Sequence, residues 1–157
     1  MTAAIRVKPT AATFKLRSQG KGVAQAIEID GSQHTIQVDA APVFGGHDEH
    51  PSPIAYALSS LISCSQVTAQ LVAKDLGIQL NGFEFDISAD LDTAVLVNGS
   101  RNGNPNFEQV AIRAVVNTSA SATDFQILQA ETERRCPIFQ LFQRSGIPIS
   151  NHWSIRA

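Results

Sequence analysis

The sequence predicts an α+β fold with mostly antiparallel sheet, and three observations support this prediction. A stretch of small and apolar residues with no helix breaker runs from Ser52 to Gly77. Alternation of apolar and polar residues with period two, typical of half-buried strands, occurs on both sides of that stretch. A second helical segment follows at 121–146. Strands grouped before and after one long helix are the pattern of an α+β domain.

The N-terminal segment 1–41 is predicted to consist of strands. We divide this segment into four stretches. The first, 1–9, is an arm or a first edge strand, and the other three, 12–17, 23–30 and 35–38, are predicted strands. A turn at 18–22 separates the second stretch from the third. Asp30-Gly31 is a strong hairpin signal, because such a turn needs positive φ. The loop at 42–51 then leads to the long helix.

The segment 52–77 is predicted to be one helix. Ser52 can cap it, Pro53 suits the first helical position, and Gly77 suits the stop. Apolar or small side chains lie nearly all round it, so we expect it to be buried on most sides. Scattered Ser, Thr and Gln residues disfavour a bilayer span. The sequence therefore predicts a long, buried central helix that carries Cys64.

The remaining chain alternates between strands and helices. The segment 83–118 is predicted to form strands at 83–89, 93–97 and 107–118, with an exposed turn at 98–106. Ser121 begins a capping-box-like helix start, and Cys136-Pro137 interrupts that helix, because proline disfavours helical geometry in the residue before it. A short helix to Arg144 and a final strand at 150–156 complete the fold.

Length, charge and cysteine content restrict the function. The 157 residues fit a single domain spanning 1–157, and a net charge of −2 implies neither a nucleic-acid partner nor a membrane surface. Two cysteines suggest reactive or buried thiols in a reducing compartment. No secretory signal is visible at 1–13, so we expect a cytoplasmic protein.

The stretch His47-Asp48-Glu49-His50 raises the question of a metal site, which Cys64 could complete. Two histidines on a loop lack the fixed i, i+4 geometry of a helical pair, and ordinary polar loops have this composition. We therefore predict no metal and no tightly bound cofactor.

Three features together carry a family resemblance. Gly45-Gly46 and Pro51-Ser52-Pro53 precede a long helix of small residues with Cys64 in its middle. Ala73-x-x-Leu76-Gly77-Ile78 ends the helix, and Glu131-x-Glu133-Arg134-Arg135-Cys136-Pro137 follows after the strands. This pattern resembles the OsmC/Ohr family of osmotically inducible and organic-hydroperoxide-resistance proteins over roughly 45–149.

The resemblance implies a fold and an activity. It implies an OsmC-like fold in which sheets wrap two long central helices of an intertwined homodimer. It also implies cysteine-based reduction of organic hydroperoxides, with Cys64 peroxidatic and Cys136 resolving. An external dithiol, often lipoyl, would restore the pair.

Cys64 would react as a thiolate, so its pKa matters. It lies about three turns beyond the helix start, where the dipole no longer helps, and burial raises a thiol pKa. A cation is therefore needed. In the hydroperoxidase branch of the family that this sequence resembles, an N-terminal arginine sits over the thiolate, and a glutamate just inside the long helix orients that arginine. Arg17 is the best-placed arginine; the rival cations are Lys15, Lys21, Arg6, Arg134 and Arg135.

The sequence departs from the family at the glutamate position, which Ile54 occupies. Glu49 or His50 could substitute from the preceding loop, and we take Glu49 as the candidate. The departure also favours a second hypothesis, a catalytically weak OsmC-like dimer that binds a small apolar ligand or senses oxidants.

Overall fold

The computed structural model describes residues 11–156, which form two three-stranded sheets and four α-helices. This is an α+β architecture, as predicted. The chain divides into two compact units, one ending at Pro53 and the other beginning at Ile54. The single domain over 1–157 stays a prediction. The predicted arm at 1–9, with Arg6, lies outside the described residues.

The first unit contains the sheet β1–β2–β3, whose neighbouring strands are antiparallel: β1 Leu16–Lys21, β2 Ala24–Ile29 and β3 Thr35–Val38. The prediction of a strand at 12–17 with a turn at 18–22 is wrong. Gly20 lies within β1, and only Gly22 has a left-handed φ, of 63°, so the turn comes after Lys21. The second predicted turn is confirmed, with Gly31 at φ 78°.

The loop after β3 depends on Gly46. A 3-10 helix, Pro42–Phe44, ends at Gly45, and the chain then passes close to the backbone of Ala40. A Cβ atom added at Gly46 would lie 1.9 Å from the Ala40 carbonyl oxygen. Only glycine fits this approach, because the obstructing atom belongs to the backbone.

The second unit contains the long helix and the six strands and helices that follow it. In order they are α1 Pro53–Leu76, β4 Leu80–Leu91, α2 Ala94–Asn98, β5 Phe107–Thr118, α3 Ala122–Arg135, α4 Pro137–Arg144 and β6 Ile149–Ile155.

Within one chain, α1 is buried along one face only. The fully buried positions include Leu61, Ala69 and Val72. On the other side Val67 is 62% exposed and Leu71 is 54% exposed. The chain itself therefore does not bury this helix on most sides, contrary to the expectation from its composition. Over residues 11–156, no helix combines the length and the apolar character needed to cross a membrane.

The prediction of a strand at 93–97 is wrong, because the short helix α2 occupies 94–98. The Asp92 side chain accepts a hydrogen bond from the Ala94 N–H at 2.9 Å, which turns the chain at the end of β4. Gly99 then ends the helix in a left-handed conformation at φ 63°. A short apolar run does not distinguish strand from helix, which explains the wrong prediction.

Strand β5 is the centre of its sheet, and its predicted inward face is confirmed. Val110, Ile112, Ala114 and Val116 are all buried. Strand β4 pairs with β5 antiparallel, whereas β6 pairs with β5 parallel. Three of the four strand pairs are antiparallel, so the prediction of mostly antiparallel sheet is confirmed, with the β5–β6 pair as the parallel exception. Because α3 and α4 cross over between β5 and β6, the final strand enters the sheet in the same direction as β5.

The predicted limits of α3 are confirmed at both ends. The Ser121 side chain accepts a hydrogen bond from the Asp124 N–H at 3.1 Å, as an N-cap does. The helix ends at Arg135, and Cys136 has extended backbone angles before Pro137 starts α4. This break positions the second cysteine.

Candidate active site

The two cysteines of the sequence meet in the core of the second unit. Cys64 is half-buried on α1, and Cys136, at 0% exposure, belongs to the cluster formed around Leu61 and Ile112. Cys64 packs against the same cluster, and it lies close enough to Cys136 for that thiol to raise the pKa of Cys64. Both cysteines are free. Two residues far apart in sequence are thus brought close together in an otherwise apolar environment.

Three groups of Cys136, which lies at the junction of α3 and α4, form hydrogen bonds. Its backbone N–H donates to the Thr132 carbonyl at 2.9 Å, and its carbonyl accepts from the Gln140 N–H at 3.0 Å. Its Sγ accepts a hydrogen bond from the Phe139 N–H at 3.4 Å. Cys136 therefore ends one helix and caps the next, which fixes the direction of its side chain.

The surroundings of Cys64 raise the pKa of its thiol. Burial is the main cause, and the nearby Cys136 thiol adds to it. Two donors act in the opposite direction and lower the pKa, namely the Ile138 backbone N–H and the Thr68 hydroxyl. The net effect favours the neutral thiol, so these contacts do not replace the cation that a reactive thiolate needs.

Sequence reasoning missed Thr68 and Ile138 as neighbours of Cys64. Thr68 lies four residues after Cys64 on the same helix, a spacing that places both side chains on one face. Ile138 follows the Cys136-Pro137 helix start, where free N–H groups are expected. Both positions carried a usable signal, but the second required knowing that the α4 start lies beside α1.

Two of the rival cations are occupied by carboxylates. Arg134 is paired with Glu131, and Arg135 with Asp75, each at 2.6 Å. The hydrogen bond to Arg134 lowers the pKa of the Glu131 carboxyl. These pairs make Arg134 and Arg135 weaker candidates for activating Cys64.

Arg17 and Glu49 both belong to the first unit, where each is exposed. Arg17 lies on β1 opposite Glu28 of β2 and forms no ion pair with any residue in 11–156. The observed contact of Glu49 is through its backbone, because its N–H donates to the Asp39 Oδ2 atom at 3.1 Å. Of the remaining rivals, Lys21 ends β1 and Lys15 precedes that strand.

Asp39, which sequence analysis did not single out, organises the loop that carries Glu49. It is 2% exposed, and its Oδ2 atom accepts N–H bonds from His47 at 3.0 Å and from Glu49. Its Oδ1 atom has no hydrogen-bond partner among residues 11–156. The N–H groups of Glu49 and Ala40 are the leading causes of a lowered Asp39 pKa. The signal was a lone aspartate at the end of a strand, before a glycine-rich loop.

We expect replacement of Asp39 by asparagine to destabilise the protein at neutral pH and to matter less in acid. Because the folded pKa is lower than the ordinary value of 3.8, the carboxylate stabilises the fold above that value. This contribution is lost as the pH falls through the folded pKa. Unfolding of both proteins by denaturant, from about pH 6 to about pH 3, measures the difference. A difference that stayed constant over this range would contradict the role of Asp39.

The histidines at 47 and 50 do not form a metal site with the described residues. Over 11–156, no group of three or more His, Cys, Asp or Glu side chains could hold a metal ion. The backbone of His47 instead takes part in the Asp39 hydrogen bonds.

Ile54, which the family resemblance places where relatives carry a glutamate, lines an apolar cleft. The cleft has a volume of about 480 Å³ and also contains Leu91, Val95, Leu96 and Phe107. It lies within the second unit, between the start of α1, α2 and the start of β5. A small apolar ligand would fit such a cleft.

Comparison with known proteins agrees with this architecture. A model of a family described as OsmC-like protein matches residues 46–151. No curated protein matches the chain. An OsmC-like protein from Mycoplasma pneumoniae is 19% identical, with a TM-score of 0.78 over 93% of this chain and 99% of that one.

Two other solved structures share the fold. An organic hydroperoxide resistance protein from Elizabethkingia anophelis is 17% identical, with a TM-score of 0.71 over 95% of this chain and 100% of that one. OhrB, an organic hydroperoxide resistance protein of Bacillus subtilis, is 18% identical, with a TM-score of 0.60 over 91% and 98%. The fold is therefore shared, and the family match covers more than half of the sequence. The chain belongs to the OsmC-like protein family.

Proposed function

We propose that this protein reduces organic hydroperoxides with Cys64 and Cys136 as a redox pair. The observation that carries the proposal is that both thiols lie at one apolar cluster, close enough for Cys136 to raise the pKa of Cys64. Two structural relatives are named organic hydroperoxide resistance proteins, which agrees with this chemistry.

The reaction consists of three balanced steps. The Cys64 thiolate attacks a peroxide oxygen, the O–O bond breaks, and the leaving alkoxide takes a proton to become an alcohol. Cys64 is then a sulfenic acid. The Cys136 sulfur attacks the Cys64 sulfur, so that an S–S bond forms and water leaves. An external dithiol, for which lipoyl is our candidate, exchanges with the disulfide and restores both thiols while it is itself oxidised. A reducing cytoplasm would suit this last step.

The first step needs a cation near Cys64, because burial raises the pKa of that thiol. We assign this role to Arg17, since Arg134 and Arg135 are paired with carboxylates. Glu49 would orient the arginine in place of the family glutamate. No tightly bound cofactor is needed for the cycle.

We propose that the protein acts as a homodimer. The exposed apolar side chains of Val67 and Leu71 on α1 support this part of the proposal, because a second copy would remove them from water. A dimer would also give α1 the burial on most sides that its composition predicts.

A single-turnover titration tests the proposed function. The reduced protein is mixed with cumene hydroperoxide or with hydrogen peroxide, and free thiols and intact mass are measured. We expect loss of both thiols and a decrease of about 2 Da, because a disulfide contains two hydrogens fewer. The organic peroxide should react faster. If both thiols persisted with one equivalent of cumene hydroperoxide, the peroxidase proposal would be wrong.

A catalytically weak dimer that binds a small apolar ligand or senses oxidants is the second candidate function. The apolar cleft beside Ile54 favours it, as does the raised pKa of Cys64. Ordinary alkylation kinetics for Cys64, without a thiolate at neutral pH, would support this second candidate.

A further inference from the structure

A second cleft in the same unit has neither cysteine in its lining. It has a volume of about 520 Å³ and lies between α3, α4 and β6. One part of its lining is polar and consists of Gln129, Glu133, Gln143 and Asn151, and the other part is apolar and includes Phe139 and Ile147. Glu133 is the only charged residue in this lining, and no cation accompanies it.

The amide groups of the cleft hold the Glu133 carboxylate by one oxygen. Its Oε1 atom accepts hydrogen bonds from Gln129 Nε2 and from Asn151 Nδ2, both at 2.9 Å. Gln129 Nε2 also donates to the Asn151 carbonyl at 3.0 Å. These bonds fix the carboxylate between α3 and β6, so its position is set before any ligand arrives.

The groups in the cleft that can still form a hydrogen bond are acceptors. No donor among residues 11–156 reaches Glu133 Oε2. Asn151 Oδ1 accepts one bond, from the Trp153 indole N–H at 3.0 Å, and Gln143 Oε1 accepts one, from Gln140 Nε2 at 2.9 Å. An amide oxygen has two lone pairs, so each of these can accept once more.

We propose that this cleft binds a small organic cation that carries several N–H donors on a short apolar stem, as a primary alkylammonium does. The negative charge and the free acceptor atoms match the ammonium group, and hydrogen bonds to a charged group are the stronger kind. Phe139 and Ile147, which line the apolar part of the cleft, match the stem. An anion would meet the Glu133 charge with no cation to offset it.

The structural alternative is that the network only joins α3 to β6. A network with only this structural role needs only the Oε1 atom of Glu133, which already accepts from two amide donors. It gives no reason for a carboxylate, since a glutamine oxygen would accept the same two bonds. The charge is the feature that a cationic ligand explains.

The test uses the indole N–H of Trp153, the single tryptophan of the chain. This N–H donates a hydrogen bond to Asn151, which lines the cleft. The full-length protein is titrated with n-butylammonium, and the indole N–H resonance and the side-chain amide resonances are followed by NMR. We expect a saturable shift. The neutral isostere n-butanol should bind about tenfold more weakly or less well still, because it lacks the charge-assisted bonds.

Variants make the assignment specific. Glu133→Gln keeps the shape and removes the charge, so it should weaken n-butylammonium binding about tenfold. Glu108→Gln is the matched control, because Glu108 is an exposed residue of β5 outside the cleft, and it should leave binding unchanged. Equal binding by the Glu133→Gln protein would overturn the proposal.

The wild-type titration decides the question even if Glu133→Gln does not fold. No saturable shift up to tens of millimolar n-butylammonium, or equal binding of n-butanol, would also overturn the proposal. None of these measurements involves peroxide, so their result does not depend on the proposed peroxidase function.

Discussion

Replacing Cys64 with serine is expected to abolish peroxide consumption. A hydroxyl does not form the sulfur nucleophile that attacks the O–O bond, and Cys136 is fully buried at 0% exposure and cannot take over the attack. The measurement is the loss of cumene hydroperoxide with time in the presence of a dithiol. The expected rate equals the rate without protein. If the Cys64→Ser protein consumed peroxide as fast as the parent, the assignment of Cys64 would be wrong.

Cys136→Ser is the matched control, because it makes the same atom replacement on the other member of the pair. This protein should complete the first step but not the second. We expect a sulfenic acid on Cys64, seen as a gain of about 16 Da, followed by further oxidation with excess peroxide. Because the nearby Cys136 thiol raises the pKa of Cys64, its removal should not slow the first attack. A slow first turnover in Cys136→Ser would contradict a purely resolving role.

Leu61→Ala is expected to give the largest loss of stability among single core substitutions of α1. Leu61 is 0% exposed and belongs to the cluster that contains Cys136, Ile112 and Phe139. Removing a buried leucine side chain costs about 2–5 kcal/mol, from lost burial and from the cavity left behind. Denaturant unfolding of the parent and the variant measures the difference.

The control is Leu141→Ala in α4, because Leu141 is 65% exposed and the substitution has the same effect on helix propensity. We expect it to cost well under half as much as Leu61→Ala. Equal costs at the two positions would mean that the Leu61 cluster is not a tightly packed core. Since Cys136 shares that cluster, Leu61→Ala should also loosen the position of the Cys136 thiol.

Local signals predicted much of this fold. The α1 helix follows from its lack of breakers, and β5 from alternation that leaves Val110 and Ile112 on the buried face. The Cys136-Pro137 break followed from the steric effect of proline. In each case neighbouring residues along the chain contain the determining interaction.

The parts that the sequence did not reveal depend on contacts between distant residues. The Ile138 N–H reaches Cys64 only because α4 starts beside α1, and no pattern in either segment specifies that approach. The network between Glu133 and Asn151 has the same origin, since it joins α3 to β6. At 94–98 the failure was local instead, because the apolar pattern there does not distinguish a strand from a short helix, and the chain turns at Asp92, whose side chain accepts from the Ala94 N–H.

The parallel pairing of β6 with β5 has a consequence for the order of folding. Strand β6 reaches its place only after the chain has passed through α3 and α4, so its hydrogen bonds close a long loop. The entropy of that closure is compensated only when the two helices already pack. Strands β4 and β5 can pair earlier, across a shorter connection. We therefore expect the α3–α4 junction, and with it the close approach of the cysteines, to form before the sheet is complete.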